Sequence, residues 1–586
     1  MPELNELIAI IDSLPHPHAP WAIRGVISKY IRDEEIVVLG EWQSELIAFE
    51  FFPSPEISDV DWGTHFGPAF VGCDSDGRAV ASPNITSVDG HTIAHWLARS
   101  EASTNPVAKQ RYADLVWDFS RIATGKSAGI AVARTAIDEA VSIANLDSYS
   151  SEPFVFDLLE RALSVACSIK DEIRKGIVRQ AILSFEKSTA ENGIHGLWGY
   201  SFDLLVSNKN SGVSLEETTS IIDALDLRLS QIIAEEDNAT APHSGDPVAI
   251  RLAQYYRLKN DNENVKRVLT LYKELYLKAC EIAPKIVATG WLQKVAATLK
   301  AYNLKAMSDS VLVVLRDYAE EAVAELKPIS AGFEISDAEL NAFLDSMLNH
   351  DFEVATSKIV VNYVPIWEDL KEMVLELKEA APLSSMTSLT VVDHAGRPVA
   401  TIGGVDSDLE GRTVKQMSDI MQFSQFFLRK TMEEYIGRFD LTAEGMVERI
   451  YKSPVLDIQQ RPILQLGMNA YFSGDWISAV HLFIPQIETC LRKLVELCGG
   501  ATYKHHRNGG LMLKNFDELL RDPLVEMILS GDVVKYLRTL FSDQRGWNIR
   551  NRVCHGIIPA NLCGVANADR LFHVLLLFGN FENRES

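Results

Sequence analysis

The sequence predicts a mainly α-helical fold with small β insertions, and three patterns support this prediction. Apolar residues recur at intervals of three and four over most of the chain after residue 107, as in helices that bury one face. Proline and glycine cluster instead in the first hundred or so residues. One short stretch after residue 386 places β-branched residues on both sides of a glycine-containing turn, which is typical of a β-hairpin.

We expect four segments in chain order. Residues 1–106 form an irregular α/β cap, and residues 107–380 form a central helical-hairpin, solenoid-like array. Residues 381–455 contain a small β-hairpin insertion and connecting helices, and residues 456–586 form a C-terminal helical bundle. A chain of 586 residues with 47% hydrophobic and 23% charged residues has the composition of a globular protein that buries several cores.

In the cap, proline and glycine cluster in PHPHAPW, FFPSPEISDVDWGTHFGPAF and CDSDGRAVASP, around short apolar runs. The array begins with the amphipathic stretch KQRYADLVWDFSRIAT. Further on, residues 246–284 read as a helix, a polar Asn/Asp turn and a second helix with Val265, Leu269, Tyr272 and Leu275 on its apolar face. This pattern resembles a helical-hairpin repeat, but because no strict repeat period exists, an irregular helical bundle fits equally well. A helical array would offer a surface for a protein partner.

The hairpin stretch SLTVVDHAGRPVATIGG reads as two short strands around a turn at His394–Arg397, and we expect it to be a surface insertion. A histidine at such a tip is typical of a solvated turn, so the sequence assigns His394 no function. After Pro462 the spacing predicts one helix ending at Gly474, a long helix ending before Gly499, the polar loop ATYKHHRNGG, three short helices and a buried final helix.

Composition also limits the cellular setting. The N-terminal stretch MPELNELIAIIDSLP has no basic region, and the apolar run 571–578 is far shorter than the roughly 20 residues that span a bilayer. We therefore expect a cytoplasmic protein with no membrane partner. The seven scattered cysteines form no C-x-x-C pair and the histidines no H-E-x-x-H motif, so the sequence supports neither a disulfide framework nor a metal or other cofactor.

Charge is distributed unevenly along the chain. The net charge of −24 argues against a polyanionic partner, since phosphates are repelled by acidic surfaces. From Leu456 to the end, however, 14 Lys and Arg residues balance 13 Asp and Glu residues, so the acidic excess lies entirely before this point. The last fifth of the chain is thus compatible with binding nucleic acid, although a solvated surface accounts for its charge equally well.

The stretch RGWNIRNRVCHGIIP gathers the most polar chemistry in the sequence. A helix that begins near Trp547 or Asn548 and ends near Gly556 places Asn551 and His555 on one face, within reach of the long Arg550 side chain. An imidazole, an amide and a guanidinium suit cleavage of a phosphodiester, and RNA supplies its own 2′-hydroxyl nucleophile. The structural alternative is a capping asparagine, a core histidine and a surface arginine.

Neighbouring residues have simpler interpretations. Cys554 is expected to be a small buried side chain on the opposite helix face. Arg552 and Arg545 are candidates for contact with RNA phosphates or with solvent, and Lys504 and Arg507, in the polar loop, could hold RNA or be solvated.

The string R-N-x-x-x-H-G, present as Arg550, Asn551, His555 and Gly556 within DQRGWNIRNRVCHG, resembles the signature of a family of uncharacterised domains in the HEPN superfamily of all-α ribonucleases. The resemblance covers about residues 456–586, which are therefore expected to form a HEPN-like bundle. It implies metal-independent RNA cleavage that leaves a 2′,3′-cyclic phosphate and a 5′-hydroxyl. In this reaction His555 would transfer protons, Arg550 would stabilise the phosphate, and the Asn551 amide would hold the imidazole or a phosphate oxygen in place.

Two further stretches share this likeness. GDWISAVHLFIPQIETCLRKL resembles the family's preceding helix, with Glu488 and Arg492 as an exposed or dimer-facing ion pair, and NPVAKQRYADLVWD resembles a stretch common in the N-terminal regions of such proteins. The resemblance implies a homodimer formed through the C-terminal bundle, with a cleft composed by two protomers, and a role as a toxin or antiviral defence effector. The competing hypothesis is a non-catalytic helical protein that serves interaction or dimerisation.

Overall fold

The computed structural model describes residues 4–14, 19–53, 62–73, 79–146, 151–191, 197–235, 241–327, 332 and 334–582. Helices make up 71% of the structure, and the sheets within these ranges are small and two-stranded, which confirms the predicted mainly α fold with small β insertions. The chain divides into two compact units, Met1–Val311 and Leu312–Ser586. The finer four-segment division stays a prediction.

The first unit begins with short helices and two antiparallel strand pairs, as expected for a mixed cap. These elements are α1 (Leu4–Asp12), α2 (Pro20–Asp33), α3 (Glu41–Ala48), β1 (Phe52–Pro53), β2 (Phe66–Gly67), β3 (Phe70–Cys73), β4 (Ala79–Ser82) and α4 (Gly90–Ala102). Parts of the predicted proline and glycine clusters, residues 15–18, 54–61 and 74–78, lie outside the described residues.

The rest of the first unit is a succession of longer helices that pack mainly on their neighbours in the chain. They are α5 (Pro106–Thr124), α6 (Ile130–Ala144), α7 (Glu152–Ser168), α8 (Glu172–Thr189), a π-helical turn (Phe202–Val206), α9 (Leu215–Ala234), α10 (Ala241–Leu258), α11 (Asn262–Ile282) and α12 (Lys285–Ala301), followed by α13 (Lys305–Glu325), which contains the unit boundary. The helical hairpin predicted for residues 246–284 is α10–α11, and Val265 and Tyr272 are buried as its apolar spacing requires.

The stretch NPVAKQRYADLVWD begins α5, where Asn105 caps the first turn and Pro106 occupies the first helical position. Its polar residues are buried and paired within the unit. Arg111 donates from Nε to the carbonyl oxygen of Ala48 at 2.7 Å, and Asp114 accepts hydrogen bonds from Arg161 at 2.8–3.2 Å. These contacts explain the polar pattern of the stretch, because they join α5 to α3 and α7.

The second unit is a helical assembly with two β-hairpins. Its helices are α14 (Asp337–Leu348), α15 (Phe352–Asn362), α16 (Trp367–Ala380), α17 (Pro382–Met386), α18 (Leu409–Phe423), α19 (Gln425–Arg438), α20 (Ala443–Ile450), α21 (Arg461–Ser473), α22 (Trp476–Leu497), α23 (Phe516–Leu520), α24 (Pro523–Leu529), α25 (Gly531–Phe541), α26 (Ile549–Cys554) and α27 (Val565–Gly579). One hydrophobic core runs from Met347 to Phe578 and includes residues on both sides of Leu456.

Helix α27 is buried from Ala568 to Gly579, as its apolar sequence predicts, but it also carries three polar side chains into the core. His573 donates from Nε2 to the carbonyl oxygen of Val360 at 3.1 Å and accepts the hydroxyl proton of Tyr536 at 3.0 Å. Asp569 accepts hydrogen bonds from Tyr471, Gln425 and Arg429, and Arg570 donates to Met421, Ser424 and Tyr363. Each of the three side chains is therefore hydrogen-bonded, which is the condition for its tolerance in a core, although Nε of Arg570 has no partner among the described residues.

The predicted hairpin after residue 386 is present as the antiparallel strands β5 (Leu389–Val392) and β6 (Pro398–Ile402), with a register irregularity at Val391 and Val392. The segment ATYKHHRNGG, predicted as a loop, instead contains β7 (Tyr503–His505), which pairs with β8 (Leu511–Leu513). That prediction was wrong because Gly509 and Gly510 adopt positive φ and close a tight turn between residues too polar to read as strands. Within the described ranges, every helix is too short or too polar to cross a bilayer.

Candidate active site

The R-N-x-x-x-H-G string lies on α26, a helix of six residues anchored by the buried side chain of Ile549. The preceding turn fixes where the helix begins. Gly546 packs so closely on α25 that an added Cβ would overlap the carbonyl group of Thr539, and Asn548 adopts a positive φ of 50° before the first helical residue. The sequence therefore places a short helix against α25, close to where its pattern predicted one.

Arg550 is half-buried and held by a carboxylate on α22. Its Nε and Nη2 atoms each lie 3.2 Å from Oε2 of Glu488, whose Oε1 accepts a hydrogen bond from Arg492 at 3.1 Å. Arg492 also donates to the carbonyl oxygen of Lys514 at 2.9 Å. The predicted Glu488–Arg492 pair is thus present, and Glu488 additionally joins the motif helix to the long helix before it.

A chain of amide side chains continues from Arg550. Its Nη1 atom donates to Asn551 Oδ1 at 3.1 Å, Asn551 Nδ2 donates to Asn548 Oδ1 at 2.8 Å, and Asn548 Nδ2 donates to Gln544 Oε1 at 2.9 Å. Because each amide both donates and accepts, the Asn551 orientation is fixed relative to the guanidinium. Asn551 is therefore suited to position neighbouring groups rather than to react itself.

His555 is the capping residue that follows the last residue of α26, and it is exposed. It lines a cavity of about 670 Å³ together with Asn551, Arg552 and Trp547. Across the part of the chain that the structure describes, the His555 ring has no hydrogen-bond partner. Arg550 does not line this cavity, but it donates a hydrogen bond to Asn551, which does. The predicted meeting of imidazole, amide and guanidinium is therefore partial: amide and guanidinium touch, and amide and imidazole share the cavity.

The β5–β6 hairpin contributes residues to the same cavity. Asp393, His394 and Arg397 line it, together with Val391 and Val399. Asp393 Oδ2 accepts a hydrogen bond from Arg397 Nε at 2.8 Å. Burial alone would raise the pKa of Asp393, but its hydrogen bonds with the side chain and backbone of Arg397 hold the pKa below its usual value. The Asp393 charge is thus neutralised by its neighbour.

The four predicted RNA-binding cations differ in how far they are already paired. Arg552 lines the cavity, and within the described residues its Nε has no hydrogen-bond partner. Arg545 is paired with Asp543 at 2.8 Å and with Glu410 at 3.3 Å, and these hydrogen bonds raise its pKa. Lys504 on β7 is paired with Glu518. Arg507, in the β7–β8 turn, is exposed.

Two sequence interpretations change at this site. Cys554 is exposed, so the expectation of a buried thiol was wrong; α26 ends at this residue, and the last helical turn faces solvent. The contributions of His394 and Arg397 were missed, because no local pattern indicates that a hairpin far earlier in the chain lies beside α26. Among the described residues, no group of three or more His, Cys, Asp or Glu side chains is arranged to hold a metal ion.

Comparison with known proteins gives no further guide to this site: no family model, no curated protein and no solved structure matches the chain.

Proposed function

We propose that this protein is a metal-independent endoribonuclease of the HEPN type, which cleaves RNA by attack of the 2′-hydroxyl and leaves 2′,3′-cyclic phosphate and 5′-hydroxyl ends. The observation that carries the proposal is the exposed His555 ring, in a cavity that also presents Asn551 and the incompletely paired Arg552. The cavity volume of about 670 Å³ lies within the range of pockets that hold small ligands.

Each group has a role that its surroundings support. His555 transfers protons, since imidazole exchanges them near neutral pH and this ring is accessible to solvent. Arg550 stabilises negative charge on the phosphate, and Glu488 with Asn551 fixes its orientation. Arg552 binds a backbone phosphate beside the scissile one. The 2′-hydroxyl of RNA is the nucleophile, so the reaction requires no other.

The proposal extends to the setting of the reaction. The partners are an RNA substrate and a second copy of the chain bound through the C-terminal bundle, in the cytoplasm, in a toxin or antiviral defence role. The acidic excess before Leu456 repels bulk RNA and thereby limits indiscriminate cutting.

One observation favours the competing function, a non-catalytic protein that serves interaction or dimerisation. Arg550 is fully engaged, with Glu488 on one side and Asn551 on the other, which is the geometry of an ion pair that joins two helices. In that case the motif fastens α26 to α22, and a protein partner occupies the helical array of the first unit.

A cleavage assay separates these two functions. Labelled RNA is incubated in EDTA with the full chain or with His555→Ala, and fragment ends are identified. The proposal requires cleavage by the wild-type protein with 2′,3′-cyclic phosphate ends, and loss of cleavage in the variant. Equal cleavage by both proteins, or cleavage by neither, contradicts it. Unchanged circular dichroism of the variant serves as the folding control.

A further inference from the structure

The hairpin side of the cavity contains a second imidazole. His394 lies in the β5–β6 turn with its side chain exposed, and it lines the same cavity as His555. Within the described residues, neither ring is engaged in a hydrogen bond. The sequence alone gives His394 the character of a solvated turn residue, whereas the structure places it beside the residues of the R-N-x-x-x-H-G string.

The hairpin turn has a defined position. Gly396 has a φ of +76° and packs so closely on α13 that an added Cβ would overlap the carbonyl group of Ala319. Asp393 Oδ1 accepts hydrogen bonds from the backbone nitrogens of Ala395 at 2.9 Å and Arg397 at 3.0 Å. A residue between these contacts has a fixed backbone, which is what a proton-transfer group requires.

Cleavage of RNA by its own 2′-hydroxyl involves two proton transfers. The O2′–P bond forms as a base takes the hydroxyl proton, and the P–O5′ bond breaks as an acid gives a proton to the departing O5′. Atoms and electrons balance without water, oxidant or reductant, and the products are the cyclic phosphate and the free 5′-hydroxyl. Two imidazoles, one neutral and one protonated, supply both transfers near neutral pH.

We propose that His394 is the second proton-transfer group, so that a single chain provides both imidazoles to one RNA phosphodiester. This inference rests on the proposed ribonuclease function. It differs from a cleft composed of two protomers, because here the hairpin takes the place of the partner. Besides the two histidines, the charged side chains that line the cavity within the described ranges are Asp393, Arg397 and Arg552. Asp393 and Arg397 pair with each other, so among these three groups Arg552 carries the positive charge that favours a bound phosphate.

The experiment compares two substrates that differ in the leaving group. RNA needs a proton on the departing O5′, whereas uridine 3′-(p-nitrophenyl phosphate) releases p-nitrophenolate, which needs none. The full chain is assayed as wild type, His394→Ala, His555→Ala and, as a matched control, His481→Ala, an exposed histidine on α22 outside the cavity. Both cavity variants should cleave RNA at least about 10²-fold more slowly, and His481→Ala should match the wild type.

One of the two cavity variants should recover on the aryl ester to within about tenfold of the wild type, which identifies the acid. The pH profile of kcat/KM should be bell-shaped for the wild type and should lose one limb in each cavity variant. If the wild type cleaves RNA, His555→Ala does not and His394→Ala matches the wild type, the inference is overturned while the ribonuclease function stands.

Equal slowing of His394→Ala on both substrates, with both limbs of its pH profile retained, would show a structural role and would also overturn the inference. Absence of cleavage by the wild-type protein would remove the ribonuclease function and this inference together. Thermal unfolding of all variants, followed by circular dichroism, verifies that each is folded.

Discussion

Two groups of polar side chains in the second unit lie in contrasting environments: one group is in the interior around α27, and the other lines the cavity at α26. His573 is fully buried and both of its ring nitrogens are hydrogen-bonded. His555 is exposed and, among the described residues, its ring has no such partner. The interior groups are accounted for by folding, since burial without partners would be costly. No hydrogen bond within the described residues holds the exposed His555 ring in the fold, which is why we propose that it carries the chemistry.

The same substitution at the two histidines should give the largest contrast in stability. His573→Ala removes a buried ring and two hydrogen bonds and should lower the free energy of unfolding by about 3–5 kcal/mol near pH 7. His555→Ala removes an exposed ring and should change it by less than about 0.5 kcal/mol. Urea unfolding followed by circular dichroism measures both. Similar losses in the two variants would show that His555 has a structural role.

Arg550 should contribute to RNA cleavage despite its ion pair and its position outside the cavity lining. Arg550→Ala should lower kcat for RNA cleavage by about 10²–10³-fold, because the guanidinium no longer stabilises charge on the phosphate. Its stability should fall by no more than about 1 kcal/mol, since Glu488 keeps Arg492 as a partner. Arg550→Lys keeps the charge but loses the planar fork and should recover only part of the rate. A large loss of stability with normal cleavage would place Arg550 with the interior groups.

The contrast between the two regions also indicates how far the sequence predicts this molecule. A helix end marked by local chemistry was predicted well: α21 ends at Ser473, where Gly474 adopts a left-handed conformation. The burial of the apolar helix α27 was also predicted. Apolar spacing identifies the buried face of a helix, and glycine identifies its end. Neither indicates which surfaces meet, so the proximity of His394 to His555 was not predictable from the local pattern.

Charge pairing over long sequence distances was not predictable for the same reason. Arg545 was a candidate for binding RNA, but besides its local pair with Asp543 its side chain also pairs with Glu410 on α18, far earlier in the chain. Lys504 similarly pairs with Glu518. Only tertiary packing determines which cations stay available, and it leaves Arg552 in the cavity.

Two interior side chains, His573 and Asp569, should change the stability of the fold with pH in opposite directions. Burial lowers the pKa of His573 to about 3, so the unfolded chain binds the extra proton and stability falls as the pH drops below about 6.5. Burial raises the pKa of Asp569 to about 6, so the folded chain binds the extra proton and stability rises as the pH drops from about 6 to about 4. Over that interval the two contributions largely cancel.

Substitution of either residue should reveal the contribution of the other to the pH dependence of stability. Between about pH 6 and pH 4, Asp569→Asn should lose about 2–3 kcal/mol more stability than the wild type, and His573→Gln should lose correspondingly less. Urea unfolding at both pH values measures this difference. His481→Gln, at an exposed position, is the control and should follow the wild type. Parallel curves for all four proteins would contradict the pKa shifts of His573 and Asp569.

Substitution of Glu488 tests whether RNA cleavage depends on a residue that does not line the cavity. Glu488→Gln weakens the hold on Arg550 and should lower kcat about tenfold with little change in KM, because the guanidinium is less well positioned. Glu496→Gln, on the same helix with a long 3.9 Å pair to Lys493, should leave cleavage unchanged. A change in stability without a change in rate would mean that Glu488 only fastens α26 to α22.

The smallest effects should come from substitution of the candidate RNA-binding cations Arg552, Arg545 and Lys504, and they should appear in the affinity for RNA. Binding of 2′-O-methyl RNA, which lacks the nucleophile, can be followed by fluorescence anisotropy over a range of salt concentrations. Arg552→Ala should weaken binding and reduce the salt dependence by about one phosphate contact, since its side chain lines the cavity and no carboxylate among the described residues pairs with it. Arg545→Ala and Lys504→Ala should change affinity by less than about twofold, because carboxylates already neutralise both side chains. If these two variants weaken binding as much as Arg552→Ala, their ion pairs open when RNA binds, and the contacted surface extends beyond the cavity.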